Sequence, residues 1–145
     1  MIGLIQRVSH AHVEVNENRI AQINKGILSL IAIQKNDSPS HAEKLLNRIL
    51  GYRIFPDNNG KMNMSLKDIQ GGLLLVPQFT LAADTHKGTR PGFSSAATPG
   101  NAEDLFGHML NYARQVYSNV EQGIFGADMK VSLTNDGPVT FWLEV

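Results

Sequence analysis

Residues 27–33 read ILSLIAI, a nearly continuous apolar run that contains a single hydroxyl side chain. A short run with apolar residues at successive positions is typical of a strand that is covered on both faces. A second run of this kind, LLLV at residues 73–76, directly follows Gly71-Gly72. We therefore predict two buried strands, one in each half of the chain.

Further strand patterns lie near the two ends of the chain, where apolar and polar side chains alternate or β-branched and aromatic residues cluster. These patterns cover residues 11–15, 19–23, 131–133 and 139–143. The last two are separated by Asn135-Asp136-Gly137-Pro138, whose composition predicts a hairpin turn between two strands.

Two amphipathic helices are predicted between the strands. The first starts at Asp37-Ser38-Pro39, where capping side chains precede a proline suited to a first helical turn, and it ends at Gly51. The second follows Thr98-Pro99 and carries a wide apolar stripe as far as Tyr117. Strands at both ends with helices between them indicate one α+β domain over residues 1–145, with both helices packed on a curved or barrel-like sheet.

Composition excludes several classes of function. The 145 residues include no cysteine, which rules out thiol nucleophiles and cysteine-bound zinc. His10 and His12 share one face of a predicted strand but have no third ligand at a recognisable spacing, so we expect neither a metal nor a cofactor. The longest apolar stretch is far too short to cross a bilayer, and we expect a cytoplasmic protein without a membrane partner.

Charge is distributed unevenly along a chain whose formal net charge is zero. Residues 1–98 carry 11 Lys+Arg and 7 Asp+Glu, whereas residues 99–145 carry 2 and 6. Because its net charge is zero, the protein as a whole cannot attract nucleic acid. The excess of Lys and Arg in residues 1–98 is compatible with a local basic surface patch that could do so.

Two segments could form a site, since the nucleophile-elbow, phosphate-loop and dinucleotide-binding motifs are absent. Pro77-Gln78-Phe79-Thr80-Leu81 follows the second apolar run and has two interpretations: the end of a strand, or a site rim where backbone N–H groups and the side chains of Gln78 and Thr80 face a ligand. The second is Asn135-Asp136-Gly137-Pro138, where a Gly-Pro bond can be cis at low cost and would then turn neighbouring carbonyls in a direction that a trans peptide cannot match. Residues 84–100 form the longest irregular stretch, which makes them a candidate site wall.

These segments, taken together, are similar to the D-aminoacyl-tRNA deacylase family over the full length of the chain. The resemblance is carried by several motifs that occur in the same order: Leu4-Ile5-Gln6-Arg7-Val8, Arg53-Ile54-Phe55, Gly60-Lys61-Met62-Asn63, Gln78-Phe79-Thr80-Leu81, Ala83-Asp84-Thr85 through Arg90-Pro91, Gly123-Ile124-Phe125-Gly126-Ala127-Asp128-Met129 and Asn135-Asp136-Gly137-Pro138-Val139-Thr140.

The resemblance implies a homodimeric enzyme for chiral proofreading in translation. It would hydrolyse the ester that joins a D-amino acid, or glycine, to the 3′-terminal adenosine of tRNA, and it would spare L-aminoacyl-tRNA. The resemblance also implies a cis bond between Gly137 and Pro138 that reaches into the partner's pocket, with Arg7 holding it in place. It further implies that Phe125 and Met129 bind substrate, and that Gln78, Phe79 and Thr80 form the catalytic segment.

An aminoacyl ester is already reactive, so we expect the site to work mainly through orientation and oxyanion stabilisation. Our hypothesis assigns the oxyanion to backbone N–H groups at Phe79 and Thr80, and assigns recognition of the amino group and Cα to the carbonyls of Gly137 and Pro138. Those carbonyls would exclude an L side chain, whereas glycine would pass. Pro77 replaces the serine that is usual in the family, which removes both a hydroxyl and an N–H donor.

Lys87 and Arg90, in the long loop, are candidate contacts for the phosphates of tRNA. Two other functions remain as alternatives. A non-catalytic nucleic-acid-binding module would normally show exposed aromatic residues, but only 7% of the residues are aromatic, and Phe106 and Tyr117 fall on an apolar helix stripe. A small-molecule esterase would require a catalytic triad, which the sequence does not show.

Overall fold

The computed structural model describes residues 1–145 and contains eight strands and three helices. In chain order these are β1 (Ile2–Val15), β2 (Asn18–Ile23), β3 (Gly26–Ala32), α1 (Pro39–Gly51), β4 (Phe55–Pro56), β5 (Met62–Met64), α2 (Leu66–Ile69), β6 (Gly72–Pro77), α3 (Pro99–Val116), β7 (Val120–Gln122) and β8 (Lys130–Glu144). A single 3₁₀ turn, Phe79–Ala82, follows β6.

The main sheet is a mixed, nearly closed barrel of six strands, in which β2-β1-β3-β6-β7 follow in order and β8 pairs with β1. β1 pairs with three other strands. β8 lies along one side of it, and β3 and then β2 lie along the other side. The β3–β6 and β6–β7 pairs are parallel, and the remaining pairs are antiparallel. The two predicted buried strands, β3 and β6, are therefore neighbours at the centre of the sheet.

Alternation along the strands sends side chains to two separate cores. Ile27 and Ile31 of β3 pack against the helices, in a cluster that includes the predicted stripes of α1 and α3. Leu28 of β3 packs on the opposite face, with Val8 and Val13 of β1. Both helices start and end close to the predicted residues, and the prediction of an α+β domain with a barrel-like sheet is confirmed.

A third, one-turn helix, α2, was not predicted from the sequence. Ser65 caps it by accepting a hydrogen bond from the N–H of Asp68. The buried hydroxyl of Tyr117, just beyond α3, donates to the carbonyls of Leu66 (3.2 Å) and Gly71 (2.6 Å). Burial raises the pKa of this hydroxyl, so it remains a donor and ties the end of α3 to α2.

The prediction of a hairpin turn at Asn135-Asp136-Gly137-Pro138 is wrong. β8 continues through this segment, and both halves pair with β1: Thr140 lies opposite Gln6 and Asn135 opposite Val8. Residues 136–139 therefore stand opposite Arg7 alone and form a bulge. The Asn135 side chain closes the bulge, because its Oδ1 accepts from the N–H of Val139 (2.7 Å) and its Nδ2 donates to Thr140 Oγ1 (2.9 Å).

The hydroxyl of Ser29, at the centre of β3, is fully buried and has no hydrogen-bond partner. Because an unpaired buried hydroxyl is destabilising, Ser29→Ala should raise the free energy of unfolding by about 0.5–1 kcal/mol. Urea denaturation would measure this change, with Ser118→Ala at an exposed serine as the matched control. A decrease of more than about 1 kcal/mol would contradict the absence of a partner for Ser29.

Candidate active site

A cavity of about 500 Å³ opens where the parallel strands β3 and β6 end. One wall consists of Val76 to Phe79, at the end of β6, and the opposite wall consists of residues 125–129. The first turn of α3 contributes Pro99 and Ala102. The lining is mostly apolar, with Gln78 and Asp128 as its polar side chains, a composition typical of small-ligand sites.

The chain changes direction at the rim of this cavity. Pro77 is the last residue of β6, and the N–H of Gln78 adds one more bond to the ladder by donating to the carbonyl of Ile31 (2.7 Å). The 3₁₀ turn then starts at Phe79, and neither Phe79 nor Thr80 donates its N–H in any turn, loop or cap hydrogen bond. The segment is thus both a strand end and part of the cavity rim, and its Phe79 and Thr80 N–H groups head a helical turn within which they have no partner.

Gln78 and Thr80 are joined by a hydrogen bond between their side chains. Gln78 Nε2 donates to Thr80 Oγ1 over 2.6 Å. Gln78 lines the cavity, whereas Thr80 lies beside it and is exposed. No basic side chain hydrogen-bonds to Thr80 Oγ1, so this geometry suits a positioning side chain better than an activated nucleophile.

The opposite wall approaches Pro77 closely because Gly123 has no side chain. A Cβ at position 123 would lie 2.8 Å from Met129 Sδ and 3.4 Å from Pro77 Cδ. The N–H of Gly123 donates to the carbonyl of Leu75, which fixes this segment to the end of β6. Phe125 and Met129 therefore line the cavity across from Gln78 and Phe79.

Arg7, Gly137 and Pro138 lie outside the lining of this chain's own cavity. The Gly137–Pro138 peptide bond is cis, and both residues are exposed in the β8 bulge. Arg7 fixes the bulge: its Nε donates to the carbonyl of Asp136, and its Nη1 donates to the carbonyl of Ile54, each over 2.7 Å. The arginine thus ties the bulge to the strand beside it and to the segment after α1.

Lys87 and Arg90 lie at the exposed tip of the long loop. Asp84 and Gly92 pair through two backbone hydrogen bonds (2.8 and 2.9 Å), which close the neck of the loop. The N–H of His86 donates to Asp84 Oδ1 and its ring Nδ1 lies 2.8 Å from the same oxygen; these contacts hold the pKa of Asp84 below its usual value. The two loop cations form no salt bridge.

No functional role was predicted from the sequence for Phe93 or Trp142. Phe93 follows the neck of the long loop, and its ring contacts that of Phe79 at the cavity rim. Trp142 is 50% exposed on the edge strand β8. An aromatic residue in a loop rich in Gly, Pro, Thr and Ser is the one signal that could have indicated Phe93, whereas the exposure of Trp142 depends on the sheet order.

Comparisons with known proteins agree with the sequence resemblance. The family model described as D-Tyr-tRNA(Tyr) deacylase matches residues 4–144. The D-aminoacyl-tRNA deacylase of Thioalkalivibrio sulfidiphilus (strain HL-EbGR7) is 57% identical and aligns over 100% of this chain and 97% of its own. That of Pseudomonas entomophila (strain L48) is 55% identical over 100% of both chains.

Two solved structures share the fold. The c-Myc DNA Unwinding Element Binding Protein superposes with a TM-score of 0.96 at 37% identity and covers 100% of this chain and 99% of its own. A probable eukaryotic D-amino acid tRNA deacylase superposes with a TM-score of 0.86 at 17% identity, covers 99% of this chain and 98% of its own, and supports the fold alone. None of the helices in this chain is long and apolar enough to span a membrane. The full-length matches confirm the resemblance: the chain belongs to the D-Tyr-tRNA(Tyr) deacylase family, and it is an enzyme of the hydrolase class.

Proposed function

We propose that this enzyme hydrolyses the ester bond of D-aminoacyl-tRNA and of glycyl-tRNA, spares L-aminoacyl-tRNA, and acts in the cytoplasm. The observation that carries the proposal is the pair of N–H groups at Phe79 and Thr80, which head the 3₁₀ turn on the rim of an apolar cavity and have no partner within that turn. Relatives named D-aminoacyl-tRNA deacylase that align over the whole chain support it.

In the proposed reaction, a water oxygen attacks the ester carbonyl, and the carbonyl oxygen becomes an oxyanion. The N–H groups of Phe79 and Thr80 donate to this oxyanion, because donors that need no rearrangement stabilise developing charge effectively. The tetrahedral intermediate then breaks its bond to the ribose oxygen, which takes up the proton given up by the attacking water and leaves as the adenosine hydroxyl. The products are free amino acid and tRNA, and no step of this scheme requires a metal or cofactor.

Thr80 is proposed to position Gln78 rather than to attack the ester. Thr80→Val removes the acceptor of the Gln78 hydrogen bond and keeps both the side-chain shape and the backbone N–H. We expect kcat/KM to fall by about tenfold or less, the cost of one hydrogen bond. Ester-release kinetics on D-aminoacyl-tRNA would measure this, and complete loss of turnover in a folded variant would refute the positioning role.

A second copy of the chain is proposed to complete the site. Trp142, Leu4 and Leu30 are direct cross-strand neighbours on β8, β1 and β3, so their side chains form an apolar row on one face of the sheet. Leu4 and Leu30 are only partly buried, and the row continues to Val76, which lines the cavity. A symmetric dimer that covers this face would carry the β8 bulge of each chain towards the other chain's cavity.

Selection of the D-enantiomer follows from this arrangement. Gly137 and Pro138 are exposed and lie outside the lining of their own chain's cavity, so a partner chain can reach them. Carbonyl oxygens at the substrate Cα would accept a hydrogen bond from its amino group and clash with an L side chain. A D side chain points away, and glycine has none. The filter would thus be tolerant of side-chain identity among D-amino acids.

Lys87 and Arg90 are proposed to contact phosphates near the 3′ end of tRNA. Reversing both charges to glutamate should weaken tRNA binding. The slope of log K against log salt is negative, and its magnitude should fall by at least about 1.4, since each single-strand phosphate contact contributes about 0.7. Fluorescence anisotropy at several salt concentrations would measure the slope. Lys44→Glu combined with Lys67→Glu, at exposed lysines on α1 and α2, is the matched control. An unchanged slope in the loop variant contradicts the proposed contacts.

The deciding experiment incubates the protein with matched D- and L-aminoacyl-tRNA and follows loss of the ester. Selective loss of the D-ester supports the proposal. Equal loss of both, or loss of small aryl esters at a similar rate, would favour a general esterase. One structural relative is named for binding a DNA element, and tight DNA binding without ester hydrolysis would favour a binding module instead.

A further inference from the structure

Two exposed aromatic rings are in contact at the rim of the cavity. The side chains of Phe79 and Phe93 are 57% and 41% exposed, and their ring centroids lie 5.1 Å apart at an interplanar angle of 49°. The other four phenylalanines of the chain are buried or half-buried. Exposed aromatic pairs are uncommon on a surface unless they serve a contact, because burial of their faces is favourable.

Contacts of the neighbouring backbone fix the positions of both residues. Phe79 opens the 3₁₀ turn and lines the cavity. Phe93 directly follows the Asp84–Gly92 neck, its carbonyl accepts from the N–H of Ala96, and the Ser95 hydroxyl donates to the carbonyl of Ala82. The aromatic pair is therefore fixed between the cavity on one side and the loop tip, with its two cations, on the other.

We propose that the Phe79–Phe93 pair binds the base of the unpaired nucleotide that precedes the terminal adenosine of the tRNA substrate. This inference rests on the proposed function, which places the terminal ester in the cavity, so the preceding nucleotide must leave across the rim. Proteins that bind single-stranded nucleic acid generally combine aromatic side chains, on which bases stack, with nearby cations that contact the phosphates. Phe93 is then a substrate-binding residue, and Lys87 and Arg90 contact the phosphates on the 5′ side of this nucleotide.

Two substrates separate this role from a structural one. D-Aminoacyl-tRNA contains the preceding nucleotide, whereas 3′-O-D-aminoacyl-adenosine does not. Phe93→Leu should lower kcat/KM for the tRNA by about tenfold, within the range for loss of one stacked base, and change the adenosine ester less than about twofold. Phe93→Trp should keep the rate on tRNA. Ile20→Ala, at an exposed side chain (36%) on β2, which contributes no residue to the cavity lining, should leave both substrates unaffected.

A binding measurement distinguishes failure of this inference from failure of the proposed function. An RNA stem with a single-stranded 3′ end, carrying 2-aminopurine in place of the base before the terminal adenosine, should lose fluorescence on binding to the native protein and to Phe93→Trp. It should keep that fluorescence with Phe93→Leu. Quenching without any ester hydrolysis would support the aromatic contact and reject the proposed function. Equal loss of rate on both substrates, no loss on either, or no quenching by the native protein would overturn the inference.

Discussion

Replacing Trp142 by glutamate should convert the protein into a monomer and lower deacylase kcat/KM by about a hundredfold or more, provided that a partner covers the Trp142–Leu4–Leu30 row. A carboxylate there would have to lose its water without gaining a partner, which costs several kcal/mol per interface. Because each 1.4 kcal/mol changes the dissociation constant about tenfold, the dimer should separate at micromolar concentrations.

Light scattering would give the mass in solution, and ester release from D-aminoacyl-tRNA would give the rate. Met62→Glu, at another large apolar side chain that is 50% exposed, is the matched control and should change neither. Because Trp142 is half exposed within one chain, the variant should keep its circular dichroism spectrum. A variant that remains dimeric would contradict the assigned interface, and an active monomer would contradict a site shared between chains.

Replacing Arg7 by alanine should lower kcat/KM on D-aminoacyl-tRNA by about a hundredfold while the barrel stays folded. The guanidinium donates to two carbonyls, those of Asp136 and Ile54, and no other side chain holds the bulge from the β1 side. If the bulge positions the substrate, a displacement of about 1 Å is enough to cost this much rate. Arg7→Lys should be intermediate, because a single ammonium lacks the fixed fork that reaches both carbonyls.

A purely structural role for Arg7 would lower stability without changing selectivity. The informative measurement is therefore the ratio of kcat/KM for D- and L-aminoacyl-tRNA, which should fall in Arg7→Ala if the bulge is the chiral filter. Arg19→Ala, which removes an exposed arginine beside Glu14, should leave both rate and ratio unchanged. A rate within threefold of the native rate for Arg7→Ala would rule out the positioning role.

Elements set by local patterns were predictable from the sequence. Pro39 and Gly51 mark the ends of α1, Pro99 marks the start of α3, and the apolar runs of β3 and β6 occupy the centre of the sheet. The error at Asn135–Pro138 has a physical cause. Turn propensity is local, whereas the pairing of both halves of β8 with β1 joins the two ends of the chain. No window around residue 137 contains that information.

The candidate site also combines features that the sequence indicated with features that depend on long-range strand pairing. Gln78, Phe79, Phe125 and Met129 meet around one cavity, and the resemblance had grouped them. Their meeting depends on two parallel pairings, of β3 with β6 and of β6 with β7, and β7 was too short and too polar to be predicted. Trp142 could not be assigned a role because its exposure depends on the order of the strands, and the only signal for Phe93 was an aromatic residue in a polar loop.

The pairing of β1 with β8 also bears on how the protein is made. Residue 2 pairs with residue 144, so β1 lacks its partner along one whole side until β8 has been synthesised and has left the ribosome. Contacts between such distant residues form slowly. The barrel can therefore close only after β8 has emerged, and until then the unpaired edge of β1 is open to pairing with neighbouring nascent chains.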